Sequence, residues 1–133
     1  MQSYFILYVA DQARSTAFYE QVLGIAPRLN VPGMTEFNLP SGATLGLMPE
    51  SGIKALLGNR LPDPVLGRGI PRAELYLVVD EPTSFHSRAL VAGAIELSSM
   101  QARNWGHIAA YSLDPDGHVL ALARPVSSGG SAA

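Results

Sequence analysis

The chain has no cysteine, little charge and no long apolar run. Without cysteine there can be no disulfide, no thiolate metal site and no cysteine nucleophile. Charged residues make up 15% of the 133 positions and the formal net charge is −2. The nine Lys and Arg residues are scattered, so the basic patch of a nucleic-acid binder is missing and no nucleic-acid partner is expected. No apolar stretch approaches the roughly 18 residues of a membrane span, so no membrane partner is expected either. The opening segment MQSYFILYVAD has neither a basic n-region nor a small-residue cleavage site, so no signal peptide is read there. The lack of cysteine fits a reducing compartment, and the expected localisation is cytoplasmic.

What the chain does have is a duplication. Residues 4–24 (YFILYVADQARSTAFYEQVLG) and 74–93 (ELYLVVDEPTSFHSRALVAG) each read as a short apolar strand, an acidic turn, a helix and a glycine. Asp11 precedes Gly24 by 13 positions, and Asp80 precedes Gly93 by the same 13. A period near half the chain is too long for a solenoid and implies two similar modules in one domain. At 47% apolar residues, the chain can bury a core without covalent staples.

In 4–9, Phe5, Leu7 and Val9 alternate with Tyr4, Ile6 and Tyr8, which predicts a strand buried on both sides. Asp11 is placed to cap a helix that ends at Gly24, with a buried stripe of Ala13, Ala17, Phe18, Val22 and Leu23. Strands are predicted at 26–31, 34–39 and 43–48, separated by Pro–Gly and Pro–Ser–Gly turns. Residues 49–72 contain eight Pro and Gly residues around one short helix at 53–57, and read as a linker and candidate lid. The second module starts with a strand at 74–79, with Leu75, Leu77 and Val79 facing the helix and Glu74, Tyr76 and Val78 facing away. A helix at 82–92 begins on Pro82. Strands at 95–99, 107–113 and 118–123 follow, the last two joined by the Asp114-Pro115-Asp116-Gly117 hairpin turn. Each half is therefore βαβββ, and the fold class is α+β. The expected division is module one at 4–48, the linker at 49–72 and module two at 73–124, in one domain over 1–125. The tail 126–133 is expected to be flexible.

The segments LYVADQARSTAFYEQVLG, LYLVVD…LVAGA and NWGHIAAYSLDPDGHVLAL resemble the vicinal oxygen chelate superfamily, which includes glyoxalase I, bleomycin- and fosfomycin-resistance proteins and extradiol dioxygenases. The resemblance covers residues 4–124. It implies two βαβββ modules forming a curved eight-stranded open barrel around a cavity, usually in a homodimer. It also implies a divalent metal held at four strand positions. Carried onto this sequence those positions are Tyr4, Gly46, Glu74 and Ala121, of which only Glu74 is a good ligand. No metal and no cofactor are therefore expected.

The same alignment places Tyr4, Tyr8, Tyr76 and Tyr111 on the cavity face, with Met48 beside Gly46, Trp105 at the start of its strand and His107 and Ala109 by alternation. These aromatic side chains predict a slot for a small aromatic or cationic organic molecule. Each tyrosine could equally be ordinary strand core. Glu74 is the candidate acid or base, unless Arg72, Arg103 or Arg124 neutralises it or it stands in solvent. Two functions follow. One is metal-independent binding, with Tyr4, Tyr8, Met48, Tyr76, Trp105 and Tyr111 as contacts. The other is a lyase or isomerase using Glu74 as general base, with Tyr111 or His107 polarising the substrate. A metalloenzyme with displaced ligands, for instance His107 and His118, is the third. His118 should point away from the cavity face, and His86 on the second helix is expected to be a solvated surface residue. Asp114 and Asp116 are read as turn residues rather than catalytic carboxylates.

Overall fold

A computed structural model describes residues 1–126; the tail expected to be flexible lies, from 127 on, outside the described residues. The chain divides into two compact units, Met1–Ile70 and Pro71 onward. The first unit contains β1 (Tyr4–Val9), α1 (Gln12–Leu23), β2 (Leu29–Val31), β3 (Met34–Asn38) and β4 (Thr44–Pro49). Its sheet order is β1-β4-β3-β2, with β1 and β4 parallel and the other pairs antiparallel. The second unit contains β5 (Glu74–Val78), α3 (Pro82–Val91), β6 (Ile95–Ala102), β7 (His107–Leu113) and β8 (Val119–Pro125). Its sheet order, β5-β8-β7-β6, repeats the first.

The duplication extends to the register. The parallel pair of the first unit opens with Tyr4 opposite Thr44, and that of the second with Glu74 opposite Val119. Tyr4 and Glu74 thus occupy equivalent positions in two copies of one βαβββ plan.

The helix boundaries follow the local chemistry. The Asp11 side chain accepts from the Arg14 amide at 3.0 Å, and Gly24 closes α1 at φ 69° in the left-handed region. Pro82 occupies the first turn of α3, where its missing N–H costs nothing. Across the β7–β8 turn, Asp114 Oδ1 accepts from the amides of Asp116 (2.8 Å) and His118 (2.9 Å), which confirms the turn role of this carboxylate.

The first core lies between α1 and one face of its sheet: Val9, Phe18, Tyr19, Val22, Phe37, Leu45 and Leu47. Phe18 and Tyr19 meet edge to face at 4.9 Å. Beneath them Thr35, fully buried, contacts the Thr16 hydroxyl at 2.8 Å and accepts from Gln12 Nε2 at 2.9 Å. In the second unit, Ala89 of α3 and Ala110, Leu120 and Leu122 of the sheet are buried.

Several expectations are corrected. The buried face of α1 is Ser15, Thr16, Phe18, Tyr19 and Val22, while Ala13 and Ala17 are exposed. The helix turns its larger side chains inward, and the alanines fall outside that arc. β1 is not buried on both sides, because Tyr4, Phe5 and Ile6 are 45%, 64% and 41% exposed. It is an edge strand, and α1 packs on β3 and β4 instead. Alternation reports which residues share a face, not whether that face is covered. The segment 49–72 is more structured than expected, with α2 (Glu50–Leu57) followed by two 3₁₀ turns, Gly58–Arg60 and Pro64–Gly67. α2 packs on β1 and β4, and the buried carboxylate of Glu50 accepts from Arg68 Nε at 2.9 Å and Nη2 at 2.6 Å. His86 is buried rather than solvated, with Nε2 2.8 Å from Glu96 Oε2 and with Nδ1 lacking a hydrogen-bond partner among the described residues.

Candidate functional site

In the second unit the strand register places Glu74, Tyr76 and Val78 of β5, Val119, Ala121 and Ala123 of β8, and Ala109, Tyr111 and Leu113 of β7 on one face. Ala110, Ser112, Leu120 and Leu122 occupy the opposite face, with α3 over β7 and β8. The floor of the first face is built from small residues: Ala109, Ala121 and Ala123 are all fully buried. Small side chains at the centre of a sheet leave room for flat rings to lie along it.

Tyr76 uses that room. Its ring stacks on His107, with centroids 5.7 Å apart and 27° between planes. Its hydroxyl lies 2.6 Å from His107 Nδ1 and accepts from the indole Nε1–H of Trp105 at 2.9 Å. The Tyr76 oxygen thus joins the indole to the imidazole, and the tautomer of His107 sets which of Tyr76 and His107 is the donor between them.

Tyr111 stands across the alanine floor with the Arg103 guanidinium 5.1 Å from its ring centroid, within cation–π range. Arg103 is held by oxygen atoms: Nη2 donates to Ser98 Oγ (2.8 Å), Ser99 O (2.9 Å) and Ala109 O (2.7 Å), and Nε to Ala109 O (3.2 Å). Burial, then the negative charge of Glu74 and then Tyr76, raise the Tyr111 pKa above the ordinary tyrosine value, while Arg103 opposes them. Glu74 itself is exposed and forms no hydrogen bond or ion pair among the described residues. Glu74 thus stands in solvent, and Arg103, one of the arginines considered as its partner, is engaged by Ser98, Ser99 and Ala109.

In the first unit Tyr4, Ile6 and Tyr8 share a face with Gly46 and Met48, and Tyr8 sits directly opposite Met48. Glu36 of β3 pairs with Gly46 and joins them. Arg28 donates through Nη2 to the Tyr4 hydroxyl at 3.2 Å and to Glu36 Oε1, and its Cζ lies 5.8 Å from the Tyr4 ring centroid. The hydrogen bond to Tyr4 and then that to Glu36 raise the Arg28 pKa further above its ordinary value. Each unit thus places an arginine over a tyrosine, Arg28 on Tyr4 and Arg103 on Tyr111.

The fold and the repeated register agree with a match to a known family. The family model described as "Glyoxalase-like domain" covers residues 4–123. The chain belongs to the glyoxalase-like domain family, within the vicinal oxygen chelate superfamily. Solved structures of the same fold include a glyoxalase-related enzyme from Fulvimarina pelagi, at 24% identity and TM-score 0.78 over 98% of this chain and 95% of that one. A glyoxalase/bleomycin resistance protein/dioxygenase family enzyme from Burkholderia phytofirmans matches at 18% identity and TM-score 0.73, over 93% and 98% of the two chains. A glyoxalase/bleomycin resistance protein/dioxygenase from Nocardioides matches at 19% and 0.75, over 100% and 89%. At these identities the likeness carries the fold alone. No curated protein matches the chain.

The residues of this glyoxalase-like domain do not fit the divalent metal that the superfamily implies. In the first module the Tyr4 hydroxyl is taken by Arg28, and a Cβ built on Gly46 would stand 3.0 Å from Ile6 Cγ1. In the second, Glu74 offers a carboxylate but Ala121 has no donor atom and is fully buried. Among the described residues no group of three or more His, Cys, Asp or Glu could hold a metal ion. His118 is buried on β8's approach, away from His107, so the two do not form a displaced pair. Among the described residues no helix is long and apolar enough to cross a membrane.

The structure therefore brings Tyr76, Trp105, His107 and Tyr111 together, with Glu74 at the margin, and gathers Tyr4, Tyr8 and Met48 on one face of the first module. Sequence reading missed Arg28, Glu36 and Arg103 as partners of these aromatics. Glu36 was within reach, since it alternates with Met34 and Asn38 on β3. Arg103 required the hairpin register, in which its amide donates to His107 O at 2.7 Å.

Proposed function

We propose that this glyoxalase-like domain binds a small planar organic molecule, without a metal, on the aromatic face of its second module. One observation carries the reading: the Trp105–Tyr76–His107 chain and Tyr111 stand around a floor of alanines. Such a surface offers flat apolar walls and a few fixed donors, the usual make-up of a small-molecule site. Of the two ligand types expected from sequence, the aromatic one is the better supported. Arg103 already lies against the Tyr111 ring, so a cationic ligand on this face would meet charge of its own sign.

Trp105 is the only tryptophan, which makes its fluorescence a reporter of this face. Titration with a panel of small aromatic compounds should change Trp105 emission saturably, in metal-free protein as well as in protein supplied with Mg, Mn, Zn or Ni. Stoichiometric metal in the purified protein, with binding lost on chelation, would overturn the metal-independent reading.

A second reading rests on Glu74, a carboxylate without a partner among the described residues whose charge acts on Tyr111. In a lyase or isomerase it would be the general base, with Tyr111 or His107 polarising the substrate. Glu74→Gln should then lower turnover by about 10²–10⁴ while leaving Kd nearly unchanged. In a binder the parent protein shows no turnover and the substitution changes affinity alone.

A further inference from the structure

We infer that the ligand of the second module is an organic anion, an aromatic carboxylate or oxyanion, received by Arg103 and His107. This rests on the binding reading above and narrows it to a charge class.

Arg103 and His107 are directly opposed across the β6–β7 hairpin. Their backbones are joined by the Arg103 N–H to His107 O bond at 2.7 Å, one step beyond the Ala102–Ile108 pair. Directly opposed residues of an antiparallel pair carry their Cβ atoms about 5 Å apart on the same face. Both side chains therefore start from one point at the end of the alanine floor. Arg103 turns toward Tyr111 and His107 toward Tyr76.

Each is half used. The Nε and Nη2 groups of Arg103 are consumed by Ser98, Ser99 and Ala109, while Nη1 has no acceptor among the described residues. These three partners are neutral, and Arg103 forms no ion pair among the described residues, so its charge is uncompensated at short range. In the neutral tautomer in which Tyr76 donates to Nδ1, the His107 Nε2–H is a donor with no partner among the described residues. Two side chains able to donate, one of them charged, thus start from the same end of the aromatic face. A guanidinium edge and an imidazole N–H are both suited to oxygen anions. Glu74, farther along β5, stands at the opposite margin of Tyr111 and repels an anion placed at its end. The ligand's charged group is therefore directed to the Arg103–His107 end.

The test uses four compounds of one ring size: benzoate, salicylate, benzyl alcohol and benzylammonium. Each is titrated against the full chain with Trp105 fluorescence as readout. Benzoate and salicylate are expected to bind at least tenfold tighter than benzyl alcohol, and benzylammonium more weakly than benzyl alcohol. Arg103→Gln and, separately, His107→Phe should abolish the preference for the anions over benzyl alcohol. If Arg103→Gln does not fold, the salt dependence of the parent protein replaces it, with benzoate affinity falling as salt rises and benzyl alcohol affinity flat. Equal affinity for all four, or preference for benzylammonium, overturns the anion assignment and leaves the planar-ligand reading in place. No change in Trp105 emission with any of the four overturns both.

Discussion

The Tyr76 hydroxyl bridges Trp105 and His107, accepting from the indole at 2.9 Å and lying 2.6 Å from imidazole Nδ1. Trp105 is 53% exposed, so this hydrogen bond, more than burial, holds its ring in place. Tyr76→Phe should keep the stacking on His107 and release the indole. The Trp105 N–H resonance should then move upfield, and ligand affinity should fall about tenfold, the equivalent of one lost hydrogen bond of about 1.4 kcal/mol. An unmoved indole resonance would mean that Trp105 is held by other contacts.

Tyr111 should be a late-titrating tyrosine. Burial, Glu74 and Tyr76 favour its neutral form, so its folded-state pKa lies above the value of the unfolded chain. Below the ordinary tyrosine value both states are protonated and the group adds nothing to pH dependence. As pH rises through that value the unfolded chain ionises first, so the fold loses stability at alkaline pH. Ultraviolet absorbance of the phenolates should show a high-pH step that disappears in Tyr111→Phe and moves to lower pH in Glu74→Gln. A movement to higher pH in Glu74→Gln would contradict the assigned role of that charge.

The buried hydroxyl pair of the first module is a point of high cost. Thr35→Val removes one of two acceptors of Gln12 Nε2 and the hydroxyl partner of the buried Thr16, in a place closed to water. Urea denaturation should show a loss of about 1–3 kcal/mol, the usual penalty for stranding buried polar groups. A neutral substitution would show that Gln12 and Thr16 find other partners.

Arg68→Ala should loosen the segment that follows β4. Glu50 is 5% exposed on its side chain and Arg68 54%, so the carboxylate would stay buried when the guanidinium is lost. Limited proteolysis should cut at 58–70 faster than in the parent, with a stability loss of about 1–2 kcal/mol, kept modest because Arg68 is half in water. Glu50→Gln together with Arg68→Ala should recover part of that loss.

The local signals in the sequence were strong where chemistry acts over a few residues. Asp11, Gly24 and Asp114 each set a cap or turn through bonds to the nearest backbone groups, Pro82 opens its helix through its fixed φ, and each stands where it was read. The duplicated spacing from Asp11 to Gly24 and from Asp80 to Gly93 determined the two βαβββ modules and, with them, the family. Alternation along β5 and β7 was enough to put Glu74, Tyr76, His107 and Tyr111 on one face. What alternation cannot supply is coverage, so Tyr4, Phe5 and Ile6 proved open and His86 closed. Nor can it show what a long side chain reaches. Arg28 lies 24 residues from Tyr4, and Arg103, one of three arginines weighed as a partner of Glu74, turns to Ser98, Ser99 and Ala109. Those contacts depend on hairpin register and side-chain direction, which are set only when the sheet forms. The sequence by itself determined the modules and which face carries the aromatics. Tertiary structure decided which of those aromatics are already occupied by arginine, and so which donors are left for a ligand.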